Sequence, residues 1–398
     1  MIDLTLSDEQ QLLRDTARRF AREQIVPVAA RIARDASLRT DPWSICRPLY
    51  AQGVELGFTR LLIPQRHGGL GRRTIDAVLA FEELGAADIS IAADYFALNA
   101  TVPLVIVAGG SEAQREQWLP ELCSGPALLL AGALSEPNVA GSELFCPTPD
   151  PALGIRTYAR REGAQYLING QKSAFVTNGG IADRYVLLCR TNLEQPQADS
   201  ISIFYLPAAT AGLRSGKRTE MIGWHASHHA EVLFDAVRVE ASRRIGEEGA
   251  GLRLMASLAH MPICLAACFV GLARAAYELA LDYANNRRSW GVPIRQHQAI
   301  ALKLADMYAD VQAARLTVWD AALALDTNAL EAGALKAPLA KTAAVDAAIR
   351  NAQRAVEILG GYGITTEYAA GRYLQDAWIG YACDFTRDLL RLGMAQFL

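Results

Sequence analysis

Residues 154–176 read GIRTYARREGAQYLINGQKSAFV, and this stretch interrupts a chain that otherwise carries helical patterns. Its β-branched and aromatic residues are separated by turn-forming residues, which is typical of short strands. Four further segments have the same character: LLLAGALSEP, DRYVLLCRT, SISIFYLP and AEVLFDAVRV. We therefore predict a small antiparallel β domain over residues 127–243, in which NGQK forms a hairpin turn.

Helical patterns occupy the chain on both sides of this β domain. Near the N-terminus, Ser7 and Gln10 resemble a capping box, and apolar residues recur at helical spacing after them. The C-terminal part has long Ala/Leu-rich periodic segments at 252–286, 296–326, 336–359 and 386–397. The sequence therefore predicts a mainly α, α+β protein with an N-terminal helical domain (1–126), the middle β domain (127–243) and a C-terminal four-helix bundle (244–398).

The composition argues against several classes of function. The 398 residues carry a formal net charge of −3 and no run of Lys and Arg, so we expect no nucleic-acid partner. The charged N-terminus lacks the apolar core of a signal peptide, and the longest apolar stretch, 261–273, is too short to cross a bilayer. Seven cysteines without CxxC spacing suit a reducing compartment. We expect a cytoplasmic protein without a membrane partner.

Four motifs follow one another along the chain: LSEPNVAGS (134–142), FVTNGG (175–180), NRRSWG (286–291) and EILGGYGITTEY (357–368). With the order of helices, strands and helices, they make the chain resemble the acyl-CoA dehydrogenase family over essentially its whole length. The resemblance implies a flavoprotein that binds FAD and oxidises an acyl thioester. GGYG follows a helix, whereas a Rossmann glycine motif follows a strand and opens a helix, so a nicotinamide site is not expected.

The resemblance also assigns residues to the cofactor. Leu134 and Ser135 would meet the pyrimidine edge of the flavin, Phe175 would cover the ring, and Thr177 would place a hydroxyl near N5. The other positions matched to the cofactor are Gly141, Ser142, Arg287, Ser289, Trp290, Gln298, Glu357, Gly360, Gly361 and Thr386.

Three groups of these residues have a specific expected role. Arg287 and Ser289 match positions that reach a pyrophosphate, and a guanidinium suits such a planar anion. Gly141 and Ser142 would lie near the pyrophosphate and the thioester carrier, where small residues let the backbone come close. The glycine turn at Gly360 matches one that approaches the flavin of a neighbouring subunit, which implies a homodimer or homotetramer.

The resemblance places the catalytic base in YACDFTRDLL (381–390). The family has Glu, Gly and Thr at the start of the last helix, and the matching residues here are Asp384, Phe385 and Thr386. Asp384 would remove the α proton of the substrate while the β hydride leaves for flavin N5. Its side chain is shorter by one C–C bond, about 1.5 Å, and Phe385 occupies space that the family leaves open. An alternative is that Asp384 caps the last helix, and the two roles are compatible.

Other residues predict the character of the substrate pocket. Cys383, His225 and Arg391 match or adjoin positions that face the substrate, and Pro262 predicts the start or a kink of a helix where relatives commonly carry Arg. The substrate end therefore differs from the family more than the flavin end does. This pattern suits a carrier-bound or otherwise unusual acyl group, as in relatives from secondary metabolism.

The segment WHASHH (224–229) raises the question of a metal site. His225 and His229 would share a face only on a helix, and this segment directly precedes a predicted strand. We therefore expect no metal. Polar contacts of His225 and Ser227 with flavin or substrate are the preferred interpretation.

The function that these features favour is FAD-dependent α,β-dehydrogenation of an acyl thioester on CoA or acyl carrier protein. An acceptor such as an electron-transfer flavoprotein would receive the electrons. Two alternatives remain open: an oxidase or monooxygenase on the same scaffold, and a catalytically silent subunit of a heteromer. An acid at position 384 favours proton abstraction over a monooxygenase and leaves an oxidase open.

Overall fold

The structure is a computed structural model that describes residues 5–145, 148–327 and 332–398, without the side chains of Ser142 and Phe145. It has an N-terminal group of helices, a middle sheet and a C-terminal group of helices. The predicted fold class is therefore confirmed.

The N-terminal helices begin where capping chemistry favours a start. The Gln10 amide donates to the Ser7 hydroxyl over 3.3 Å, and the Gln10 side chain accepts from the Ser7 amide at 3.0 Å, so the predicted capping box is confirmed. Ser111 and Gln114 form a second box. The helices are α1 (Asp8–Phe20), α2 (Val26–Arg34), α3 (Trp43–Glu55), α4 (Thr74–Ala87), α5 (Leu98–Thr101), α6 (Pro103–Gly109) and α7 (Glu112–Ser124), with wider π-helical turns at Ala21–Ile25 and Ile91–Ala97.

The middle part is one eight-stranded sheet in the order β6-β7-β3-β2-β4-β5-β8, and β1 pairs with β4 outside this path. The strands are β1 (Leu130–Ala133), β2 (Tyr158–Glu162), β3 (Gln165–Thr177), β4 (Arg184–Arg190), β5 (Ile201–Pro207), β6 (Leu213–Thr219), β7 (His229–Glu240) and β8 (Arg244–Ile245). Neighbours run antiparallel except β1 with β4 and one pair between β2 and β4. The sequence did not identify β6, and β8 lies just beyond the predicted domain end at 243.

The NGQK segment is a bulge inside β3, so its prediction as a hairpin turn is wrong. Gly170 has φ +148°, and the pairing with β7 shifts register beside it. A β-carbon built on Gly170 would lie 2.6 Å from Thr157 Cα, which explains why glycine is needed. The turn between β2 and β3 instead contains Gly163, with φ +63°.

The C-terminal helices are α8 (Gly251–Ala256), α9 (His260–Asn286), α10 (Gln298–Leu325), α11 (Ala337–Leu359), α12 (Ala370–Ile379) and α13 (Arg387–Ala395). A small hairpin, β9 (Arg288–Ser289) with β10 (Val292–Pro293), separates α9 from α10. Pro262 lies in the first turn of α9, as predicted for a helix start. The sequence did not identify α12, because ten residues are too few for a clear helical period.

Helices α4 and α9 join the N-terminal and C-terminal parts in one core. A β-carbon on Gly85 would lie 2.4 Å from the Cys268 carbonyl oxygen, and one on Gly271 would lie 2.2 Å from the Glu82 carbonyl oxygen. Glycine thus lets the two backbones touch. Within the described residues, the segments Ile91–Gly109 and His260–Asn286 are long and apolar enough to cross a membrane, and both lie mainly inside the folded protein.

Buried charges also connect these helices. Arg274 of α9 lies 2.7 Å from Glu83 and 3.3 Å from Glu82, both on α4. Arg18 of α1 and Arg315 of α10 complete the network, at 2.9 Å from Glu83 and 2.7 Å from Glu82. Burial raises the pKa of Glu83, but the hydrogen bond from Arg18 and the charge of Arg274 outweigh burial and lower the pKa below its usual value.

We predict that Arg274→Met lowers the thermal unfolding midpoint strongly, because it leaves two buried carboxylates undercompensated at a cost of about 3–5 kcal/mol. Because the pKa of Glu83 is lower in the folded protein than in the unfolded protein, ionised Glu83 stabilises the fold at pH values above the unfolded pKa. This stabilisation is lost as the pH falls through the folded pKa. The deficit should therefore shrink in acid. The control is Arg253→Met, which removes an ion pair with Asp199 at the surface. The side chain of Arg253 is 63% exposed, so this pair should contribute little stability. Equal midpoints for the two variants would contradict the prediction.

Candidate active site

Asp384 lies in the turn between α12 and α13. Its φ is +46° and that of Phe385 is +70°, and left-handed backbone costs a non-glycine residue roughly 1–2 kcal/mol. Thr386 is the N-cap of α13, since its hydroxyl accepts a hydrogen bond from the Leu389 amide at 3.4 Å. The alternative that Asp384 caps the last helix is therefore wrong, because the helix begins only at Arg387. The family resemblance assigned Thr386 to the cofactor. In the structure, its hydroxyl caps the N-terminus of α13.

Lys341 of α11 holds this turn in place. Its ammonium donates hydrogen bonds to the carbonyl oxygens of Cys383, Asp384 at 2.6 Å and Phe385 at 3.0 Å. The residue is 1% exposed, and three acceptors match the three donors of an ammonium, so the buried charge is well solvated by the backbone. The sequence analysis missed Lys341, although it is the one charged residue in the otherwise apolar run APLAKTAAV (337–345).

Asp384 is half-buried, and its carboxyl is incompletely paired. Its Oδ2 has no hydrogen-bond partner among the residues that the structure describes. Burial raises the pKa of Asp384 above its usual value, and the positive charge of Lys341 opposes this rise. A desolvated carboxylate with a free oxygen is a stronger base than one at the surface.

The side chains beside Asp384 form the wall of the site. A β-carbon built on Gly141 would lie 3.7 Å from Cδ1 of Phe385, so the fold brings the LSEPNVAGS motif next to the DFT turn. Cys383 is half-buried and packs against the main core. Burial raises the pKa of its thiol to about 11, so Cys383 is a neutral thiol at neutral pH.

A second buried lysine fixes the segment that would face the flavin. Lys172 donates to the carbonyl oxygen of Leu134 at 2.9 Å and pairs with Glu136 at the same distance. The carbonyl of Ser135 accepts from the Ser173 amide at 2.9 Å, and the two serine hydroxyls are 2.8 Å apart. Hydrogen bonds from Lys172 and Ser173 therefore fix the backbone carbonyls at positions 134 and 135.

Thr177 stands at the end of β3 in a chain of three polar groups. Its hydroxyl lies 3.3 Å from Nε2 of His229, whose Nδ1 lies 2.9 Å from the hydroxyl of Ser227. Burial lowers the pKa of His229 to about 4, so the imidazole is neutral at neutral pH and has one donor and one acceptor nitrogen. This neutral ring orients the hydroxyl of Thr177, a contact that sequence did not reveal.

The remaining histidines of WHASHH do not build a metal centre. Burial lowers the pKa of His225, which is half-buried and contacts Gln375 of α12. His225 also lines a small cleft with Arg39, Arg218 and Ser227. In the described part of the chain, no group of three His, Cys, Asp or Glu side chains is placed to hold a metal ion.

Several residues matched to the cofactor lie open at the surface. Phe175 is 64% exposed and Trp290 is 94% exposed, which is unusual for such large rings. The guanidinium of Arg287 has no partner in the described ranges, and Ser289 follows it in the β9–β10 hairpin. Gly360 and Gly361 have no atom within 4 Å of a built β-carbon.

Other predicted site residues have partners elsewhere or no described side chain. The structure does not bring Arg391 to Asp384, because its guanidinium pairs with Asp346 of α11 at 3.2 Å. Glu357 pairs with Lys303, and the exposed Gln298 begins α10. The side chain of Ser142 lies outside the described residues.

The chain matches three family models: the acyl-CoA dehydrogenase N-terminal domain over residues 7–126, the middle domain over 131–237 and the C-terminal domain over 249–397. An acyl-CoA dehydrogenase of Bacillus subtilis (strain 168) is 34% identical over 398 residues, with 99% of this chain and 98% of that protein covered.

Two solved structures are similar over nearly their full length. The butyryl-CoA dehydrogenase from Megasphaera elsdenii has a TM-score of 0.90 and 31% identity, with 100% of this chain and 99% of that chain covered. A structure reported for the electron transferring flavoprotein of Acidaminococcus fermentans has a TM-score of 0.90 and 30% identity, with the same coverage.

We predict that Lys341→Met slows substrate-driven flavin reduction by about 10²-fold, because the turn that carries Asp384 loses its anchor and catalysis is sensitive to shifts of about 1 Å. Since the charge of Lys341 lowers the pKa of Asp384, the acid limb of the pH–rate profile should also move to higher pH. Stopped-flow absorbance measures both effects. Lys217→Met, at an exposed position of β6, is the control, and an unchanged rate and profile in Lys341→Met would refute the anchoring role.

Proposed function

Because the chain belongs to the acyl-CoA dehydrogenase family, whose members are FAD-dependent oxidoreductases, we propose that it dehydrogenates an acyl thioester between Cα and Cβ with Asp384 as the base. The observation that carries this proposal is the buried Oδ2 of Asp384, which no described residue contacts by a hydrogen bond. It stands on a turn that Lys341 fixes and that lies against Gly141.

The residues matched to FAD offer the contacts that this cofactor needs. The backbone of Leu134 is held by Lys172, and the hydroxyl of Thr177 is oriented by His229. The exposed guanidinium of Arg287, which has no partner among the described side chains, suits a pyrophosphate. When bound, FAD accepts the hydride from the β carbon.

The chain itself supplies the base, its position and an environment with little water. The α proton passes to Oδ2 of Asp384 as the electron pair of the broken C–H bond moves into the new double bond and the β hydride departs. Burial raises the pKa of Asp384, which increases its affinity for that proton. The ring of Phe385 fills space beside Gly141 and narrows the approach to the base.

The finer assignments follow from the same features. The short base and the ring of Phe385 favour an acyl group seated at an unusual depth, carried by CoA or an acyl carrier protein, as in secondary metabolism. Similarity to the structure reported for an electron transferring flavoprotein supports such a protein as electron acceptor. The exposed apolar residues Trp290, Tyr362 and Ile364 support a homodimer or homotetramer. We also propose a cytoplasmic location.

We predict that Asp384→Asn abolishes anaerobic flavin bleaching by acyl thioesters, with a loss of about 10²–10⁴-fold, because the amide cannot accept the proton. FAD content should stay at the wild-type level. In the wild type the rate should rise with pH through the raised pKa of Asp384, since only the ionised form is a base.

Asp388→Asn removes an exposed carboxylate from the first turn of α13 and is the matched control. Wild-type bleaching by Asp384→Asn would exclude Asp384 as the base. Oxygen consumption in aerated solution with amine, nitro or aromatic substrates would favour an oxidase, and neither bleaching nor oxygen consumption would favour a silent subunit.

We predict that Arg287→Ala weakens FAD binding by about tenfold or more, because a charge-assisted hydrogen bond contributes about 1.5–3 kcal/mol. The fold should be unaffected, since the described contacts of this guanidinium include no partner in the protein. Titration of the apoprotein with FAD measures the affinity. Arg288→Ala is the control, because that side chain donates to the Gly291 carbonyl within the hairpin. Equal FAD affinities would rule out the pyrophosphate contact.

A further inference from the structure

A second buried carboxyl, Asp94, lies near the candidate active site and has no role in the proposed reaction. It is 3% exposed and sits in the wide π-helical turn Ile91–Ala97, a type of turn that is frequent at functional sites. Its Oδ2 is buried and has no hydrogen-bond partner among the described residues.

The backbone of Asp94 is fastened to the strand end that would face the flavin. Its carbonyl oxygen accepts hydrogen bonds from the side-chain amides of Asn178 at 3.3 Å and Asn99 at 3.2 Å. Asn178 directly follows Thr177, and its own amide also donates to the Leu130 carbonyl at 3.0 Å. Asp94 is thus adjacent to the flavin-facing end of β3.

The carboxyl of Asp94 also lies within electrostatic reach of the turn that carries the base. Burial raises the pKa of the Cys383 thiol, and the carboxylate of Asp94 contributes to the same rise. The carboxylate of Asp94 also contributes to the rise in the pKa of Cys268 on α9. Burial and nearby charges together raise that pKa well above its usual value. Asp94 is therefore close both to the strand end at Thr177 and to the turn that carries Asp384.

The neighbouring carboxyl of Asp88 is also buried, but it has hydrogen-bond and ion-pair partners in the protein. Asp88 accepts hydrogen bonds from the Ser90 hydroxyl and the Ile91 amide and pairs with Arg372. Asp94 has no comparable set among the described residues, and the causes of its raised pKa are burial and the negative charge of Asp88. A buried polar group without a partner is costly, which indicates that its partner arrives from outside the chain.

We propose that Asp94 recognises an amino group on the substrate, so that the preferred substrates are amino-substituted acyl thioesters. This inference rests on the proposed function, because it places the acyl group between Thr177 and Asp384. An ammonium supplies both hydrogen-bond donors and a positive charge, neither of which a described residue provides at Oδ2, whereas a hydroxyl supplies only a donor. A plain alkyl chain leaves Asp94 unpaired.

The buried state of Asp94 agrees with this role. Burial raises the pKa of Asp94 well above its usual value, because the carboxylate form is poorly solvated in the interior. An incoming ammonium stabilises the carboxylate form. The surrounding residues of the π-helical turn are buried, which keeps water from competing for the pair.

The test compares thioesters that differ only by an amino group in place of a methyl group. The matched pairs are β-alanyl-CoA with butyryl-CoA and alanyl-CoA with isobutyryl-CoA, and lactyl-CoA serves as the hydroxyl analogue. Binding is measured by calorimetry on FAD-loaded Asp384→Asn protein, so that turnover does not interfere. We expect at least tenfold tighter binding of the amino member in at least one pair.

Variants of Asp94 show whether this residue causes the preference. In the Asp384→Asn background, Asp94→Asn should remove the preference for the amino member, and Asp94→Leu should reverse it towards the alkyl member. Asp388→Asn, at an exposed position, is the control and should retain it. Thermal midpoints check folding, and loss of an unpaired buried carboxyl should not lower them.

The outcomes separate this inference from the proposed function. Absence of bleaching of the wild-type flavin by every thioester overturns the proposed function, while a binding preference that depends on Asp94 still supports the inference. Equal binding within both pairs, binding of neither member, a preference for lactyl-CoA over both amino members, or a preference that survives Asp94→Asn overturns the inference.

Discussion

The three hydrogen bonds from the buried ammonium of Lys341 are the interaction on which the candidate site depends. They hold the carbonyls of residues 383–385 in one direction and compensate a lysine that is removed from water. They also stabilise two consecutive left-handed residues, Asp384 and Phe385, that a free loop would not adopt. Lys341 of the bundle helix α11 therefore fixes the turn that carries Asp384.

A similar device fixes the opposite side of the site. Lys172, within the sheet, binds the Leu134 carbonyl and the Glu136 carboxylate, and so holds the segment that would meet the flavin edge. Asp384 and the segment at Leu134 thus belong to different parts of the chain, and each is anchored by a buried lysine. The ring of Phe385 lies beside Gly141, which belongs to the same motif as Leu134. Displacement of either anchor would change the geometry of proton and hydride transfer together.

Two unfavourable features lie near the candidate site. Phe385 has a φ of +70°, which glycine adopts more easily, so its ring is retained against backbone strain. Oδ2 of Asp94 is buried without a hydrogen-bond partner among the described residues. Strain and an unpaired buried acid are features that a stable fold alone would not favour. They are consistent with selection for a particular acyl group.

The sequence by itself determined the features that depend on neighbouring residues: the order of helices, strands and helices, the capping box at Ser7, the helix start near Pro262, and the motifs that carry the family resemblance. It did not determine whether Asp384 or Thr386 caps the last helix, whether Gly170 makes a turn or a bulge, or which partners Lys341, Arg391 and Asp94 have. Capping and periodicity are local, so they can be read from a few adjacent residues. Burial, the fit of one strand against another, and hydrogen bonds such as those from Lys341 to a turn more than 40 residues away arise only when distant segments pack together, and the tertiary structure alone decided them.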